Sequence, residues 1–123
     1  MAFLTDRKRA VGMGAAHTGT AHHWRMTVSS GGLLILVPLF VFTFGPMLGA
    51  SHAEVVEYFG HPFPAIVAAL TIWAGFMHFK NGVQAAIEDY THGMTREILI
   101  IGAVCLSYAA AATGIFAIAR LAL

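Results

Sequence analysis

A chain of 123 residues that is 58% hydrophobic and only 11% charged lies far below the roughly 25% charged residues of soluble domains. Apolar runs of membrane length exclude a soluble globular domain and give one integral membrane domain. The formal net charge of +1 excludes the basic footprint of nucleic-acid binding.

Residues 1 to 25 are polar and Gly-rich, with Arg7, Lys8, Arg9, His17, His22, His23, Trp24 and Arg25. Gly12, Gly14 and Gly19 argue against a long regular helix there. No short apolar core and cleavage site follow the basic residues, so the expectation is a bacterial protein whose first span is its own insertion signal. Trp24 and Arg25 suit the headgroup level just before a span. The His spacing matches no zinc motif and reads as interfacial.

The first span is predicted over 26–48, with Thr27, Ser29, Ser30, Gly31 and Gly32 at its start. Small residues there suit close packing against a helix or cofactor. Pro38 predicts a kink, and Phe40, Phe42 and Phe44 read as lipid-facing or packing residues. The connection from Gly45 to Pro64 contains Glu54 and Glu57 but no Lys or Arg. Glu54 to Phe59 predicts one amphipathic turn.

The second span is predicted over 63–87. Lys80 is expected to snorkel to the surface, and Asn81 and Gln84 to bond across helices. A short turn with Gly93 follows, with Thr95 as the expected cap of the next helix. The third span is predicted over 98–119, rich in Ala and Gly and free of charge. It carries the single Cys105, so no internal disulfide is possible. Lys and Arg cluster before the first span and around the second loop. The positive-inside rule then places the N-terminus in the cytoplasm and the C-terminus in the periplasm of a bacterial inner membrane.

The chemistry concentrates in His78–Tyr90, HFKNGVQAAIEDY. At about 100° per helical residue, Asp89 falls about 20° from His78, with Gly82 and Ala85 between them. Lys80 points about 160° away. A His at this depth requires a partner, because an unsatisfied polar group in hydrocarbon costs several kcal/mol. Two readings stand on the residues alone: an axial ligand for haem iron, or a side chain bonded to a neighbouring helix. Asp89 and Tyr90 read either as part of a ligand pocket or as an interfacial Tyr beside an Asp. A carboxylate at a helix C-terminus is electrostatically unfavourable and points to a specific partner. With so small a core, any sizeable cofactor must be shared with another chain.

His78, Gly82 and Asp89-Tyr90, with the tail Asp89-Tyr90-Thr91-His92-Gly93 and an earlier His-Trp pair, resemble the small hydrophobic membrane anchor family of succinate dehydrogenase, respiratory complex II. The resemblance implies an all-α membrane protein of three transmembrane helices, part of a heterodimeric helical bundle around haem b. It implies His78 as the haem iron ligand, Tyr90 and Asp89 at the ubiquinone pocket, and His23 and Arg25 near the haem propionates. It also implies a cytochrome b anchor subunit, an iron–sulfur subunit and a flavoprotein subunit as partners, with this chain a non-catalytic anchor in the lipid bilayer. This chain has neither a flavin fingerprint nor a Cys cluster of its own. The other readings are a haem-binding anchor of another oxidoreductase, such as fumarate reductase, and a non-redox three-helix assembly protein.

Overall fold

The computed structural model describes residues 3–14 and 19–123; His17 lies outside them. Among the described residues the chain is helical without a strand: α1 (Asp6–Val11), α2 (Gly19–Phe44), a 3-10 turn (Gly45–Met47), α3 (His52–Phe59), α4 (Pro62–Tyr90) and α5 (Gly93–Ala122). Three helices are long and apolar enough to cross a membrane. Both α2 and α5 pack along α4, which is therefore the central helix.

Helix boundaries follow local chemistry. Thr5 caps α1 by accepting the Lys8 N–H. Gly12 and Gly14 end it with positive φ of 54° and 79°. These two glycines break the chain as expected, but Gly19 opens α2 instead. The first long helix thus starts before residue 26 and carries His22, His23, Trp24 and Arg25 on its opening turns. It runs on through Pro38. Phe40 and Phe44 stack at a centroid separation of 5.1 Å, while Phe42 is exposed; one helical turn separates the stacked pair, and Phe42 lies off that stripe.

The amphipathic turn in the first connection is a full helix, α3. Ser51 accepts the Glu54 N–H, and the Glu54 carboxylate accepts the Ser51 N–H at 2.7 Å, forming a capping box. Hydrogen bonds from the Ser51 hydroxyl and then its backbone hold the Glu54 carboxyl below its ordinary pKa. The second connection is only Thr91 and His92. Gly93, at φ 64°, makes the turn, so α5 starts there with His92 at the N-cap position, and Thr95 lies inside the helix rather than capping it.

Burial is concentrated toward the α3 end of the bundle. Thr43, Phe59, Pro64, Ala65, Val67, Ala68, Ser107 and Ala111 are buried. The Thr43 and Ser107 hydroxyls donate to carbonyls one turn back, Leu39 at 2.8 Å and Ala103 at 2.7 Å, so burial leaves neither unpaired. The tightest approach is Gly114 against Ile72: a β-carbon on Gly114 would lie 2.9 Å from the Ile72 Cγ2. No residue from Leu70 to Leu106 is buried. The half of α4 that ends in Asp89 and Tyr90 is therefore only partly covered by this chain.

Candidate functional site

The α2–α4 seam is antiparallel, and its register follows from three contacts. The Ser29 hydroxyl meets the His78 Nδ1 at 2.9 Å. The Thr71 hydroxyl is 3.4 Å from the Leu36 carbonyl, and a β-carbon on Gly82 would lie 3.9 Å from the Met26 Cε. Seven residues along α2 match seven back along α4. The same register puts Arg25 at the level of Gly82 and His22 near Ala85.

His78 is held by one protein partner that fixes its chemistry. The Ser29 hydroxyl also lies 2.9 Å from the Met26 carbonyl, to which it donates. Its single proton is then committed, so its oxygen accepts from Nδ1–H of His78. This network assigns the proton to Nδ1 and leaves the Nε2 lone pair for a metal. Among the described residues no group of three or more His, Cys, Asp or Glu converges on one point. A single imidazole with a fixed tautomer does not suit a tetrahedral protein-only metal site. It does suit a metal whose remaining positions are filled by a macrocycle and a ligand from elsewhere, as in haem. The residues therefore fit haem.

Along α4 the stripe of His78, Gly82 and Ala85 ends at Asp89, the penultimate helical residue, followed by Tyr90. Tyr90 is 86% exposed in this chain. The Thr91 hydroxyl closes the helix end by donating to the Ile87 carbonyl at 2.6 Å. Asp89 has no ion pair among the described residues; the adjacent Glu88 pairs with Arg96 at 3.9 Å instead. Glu88 also accepts from Gln84 at 2.9 Å, so Gln84 bonds along its own helix rather than across to another. Spacing explains this: Gln84 and Glu88 are one turn apart on one face.

Lys80 reaches across to α5. Its Nζ lies 3.4 Å from the Tyr108 hydroxyl and 5.2 Å from that ring's centroid. The α4–α5 register, set by Ile72 opposite Gly114 and Glu88 near Arg96, puts Tyr108 close to the level of His78. The Cα–Cβ bond of a helical residue tilts toward the N-terminus, which in α4 points inward from Tyr90. Lys80 thus makes a cation–π contact with a phenol partner on α5.

His23 and Arg25 separate on α2. Arg25 is one turn before Ser29, on the α4 side, and its Nε donates to the Ala21 carbonyl at 3.3 Å. His23 is exposed and points well away from Ser29, whereas His22, two turns before Ser29, is partly buried along the seam. Sequence reading treats His22 only as an interfacial residue and does not give its place along the seam or the Ser29–His78 contact. The signal was present: His22, Ser29 and Leu36 recur every seven residues, the period of a helix-packing stripe.

A cavity of about 600 Å³ lies away from His78, at the first connection, lined by Met47, Leu48, Glu57, Tyr58 and His61 among others. A smaller apolar groove of about 280 Å³ follows α4 past Thr71, Gly75, Phe76 and Phe79.

Comparison with known proteins agrees with this architecture. Residues 2–116 match the family described as succinate dehydrogenase/fumarate reductase transmembrane subunit. The succinate dehydrogenase hydrophobic membrane anchor subunit of Paracoccus denitrificans is 43% identical over 123 residues, covering 100% of this chain and 95% of that relative. No solved structure matches. Three apolar helices, with α2 and α5 packed along a central α4, and a family match over nearly the whole length lead to one conclusion: the chain is a multi-pass membrane protein that belongs to the succinate dehydrogenase/fumarate reductase transmembrane subunit family, as a membrane anchor subunit.

Proposed function

We propose that this chain anchors a succinate:ubiquinone oxidoreductase in the bacterial inner membrane and contributes His78 to a haem b shared with a cytochrome b anchor subunit. The observation that carries the reading is the Ser29–His78 bond, which orients the imidazole and leaves Nε2 as a lone-pair donor. Haem b, when bound, supplies one-electron storage at the seam between the two anchor chains. A further protein ligand for the iron would come from the partner. Arg25, on the His78 side of α2, supplies positive charge for a propionate, and His22 is better placed than His23 to join it.

Asp89 and Tyr90 form this chain's share of the ubiquinone pocket at the cytoplasmic surface, where the iron–sulfur and flavoprotein subunits dock. Reduction of the quinone takes up two electrons from the iron–sulfur partner and two protons from water. The Tyr90 hydroxyl donates a hydrogen bond to a quinone carbonyl, which stabilises charge as it accumulates there. The Asp89 carboxylate, without an ion pair among the described residues, orients that hydroxyl or passes protons inward. The family description covers fumarate reductases too; the name of the Paracoccus relative favours succinate oxidation.

His78→Ala in the purified complex tests the reading. The expected result is loss of the low-spin b-type spectrum in the reduced state. An unchanged spectrum removes His78 as ligand.

A further inference from the structure

We propose that the N-terminal segment around α1 is a second membrane contact, lying on the bilayer surface and binding anionic phospholipid headgroups. The six residues of α1, DRKRAV, carry three cations and one carboxylate. Asp6 neutralises Arg9 at 3.7 Å, and among the described residues Arg7 and Lys8 have no carboxylate partner. None of the helix is buried.

The cations are bracketed by exposed apolar side chains. Phe3 is 98% exposed, Leu4 49%, Val11 60% and Met13 105%. Four such side chains around a basic turn are unfavourable in water. At a bilayer surface the apolar groups enter the acyl boundary while the cations meet phosphates, the arrangement of interfacial anchors. Chain length leaves the segment within reach of that surface. Between Gly14 and Gly19 the backbone spans at most roughly 18 Å, and Gly19 opens the first membrane helix. Anionic lipid attracts such juxtamembrane cations. A net two positive charges on α1 is expected to shift the surface-bound segment over the free one by roughly thirtyfold.

The test uses the full chain in vesicles, on a Cys105→Ala background, with a nitroxide on Leu4→Cys or Met13→Cys. In phosphatidylcholine vesicles containing phosphatidylglycerol, the labels are expected to become accessible to oxygen and shielded from a water-soluble nickel chelate. Pure phosphatidylcholine, molar salt, or Arg7→Gln with Lys8→Gln and Arg9→Gln should return them to water. Labels that stay in water on anionic vesicles at low salt would overturn the proposal and leave the segment free for a protein surface. Equal burial in neutral vesicles, or in the triple variant, would also overturn it, because charge would then play no part.

Discussion

The two ends of α4 are built on opposite terms. Toward α3 the helix is sealed by its own chain: Pro64, Ala65, Val67 and Ala68 are buried, and Gly114 admits the Ile72 side chain against its backbone. Toward Tyr90 no residue is buried. Gly31, Gly32 and Gly75 have nothing within 4 Å of where a β-carbon would stand, and the polar groups Ser29, His78, Asp89 and Tyr90 gather there. In the first region, small residues are required by contacts inside the molecule. In the second, the chain's own packing does not require them, and the space they leave borders the metal-competent imidazole. One end of the subunit is closed by its own packing; the other is not.

The closed end carries the largest expected effect. Gly114→Ala drives a methyl group into Ile72, and overpacking of this kind costs about 1–3 kcal/mol. Unfolding in detergent should show that loss, and Ile72→Ala in the same chain should recover part of it. No recovery would mean that the close approach is not what holds α5 to α4, and the closed end would lose its distinction.

At the open end, Tyr90→Phe removes one hydroxyl from an exposed ring and should leave folding unchanged. A hydrogen bond to a group gaining charge is worth roughly 1.5–3 kcal/mol. Quinone reductase activity should therefore fall on the order of ten- to a hundredfold, while succinate oxidation with an artificial acceptor persists. Unchanged quinone reduction would make Tyr90 only an interfacial anchor.

Ser29→Ala is the subtler change. Loss of an outer partner of a ligating His lowers metal affinity by about ten- to a hundredfold. Were His78 to share the proposed haem with a second ligand, the low end of that range would be expected. Haem retention during titration with a competing haem-binding protein measures it. Retention equal to the parent's would show that Ser29 does not set the imidazole.

Much of this was legible in the sequence because membranes simplify it. Three spans follow from apolar run length, since every backbone group in hydrocarbon must be paired within a helix. The His78–Gly82–Asp89 stripe follows from helical period alone. Boundaries were less legible. Gly19 reads as a breaker, yet it stands at the first helical turn, where a glycine has little regular structure to disrupt. The polarity of His22 to Arg25 disguises a helix that begins ahead of its apolar run. Partners of polar side chains were also hidden. Spacing says that Lys80 faces away from His78, but only the α5 register brings Tyr108 within reach. The Ser29–His78 contact spans a sequence separation of 49 and depends on how α2 lies against α4.

The Lys80–Tyr108 contact also bears on how the protein is made. Of the three membrane helices, α4 is the least apolar, and it carries its Lys well inside. Releasing a Lys at the centre of a helix into lipid costs about 2.5–3.5 kcal/mol. The group that relieves this cost, the Tyr108 phenol, is translated only after α4 is complete. Thr91 and His92 alone join the two helices, so α5 folds back beside α4 with almost no slack. Inserted as an α4–α5 hairpin, the chain would bring Lys80 and the Tyr108 phenol into the membrane together, whereas α4 inserted alone would carry its Lys without that partner. The α2 helix, which carries no charge after Arg25, has no such need of a partner.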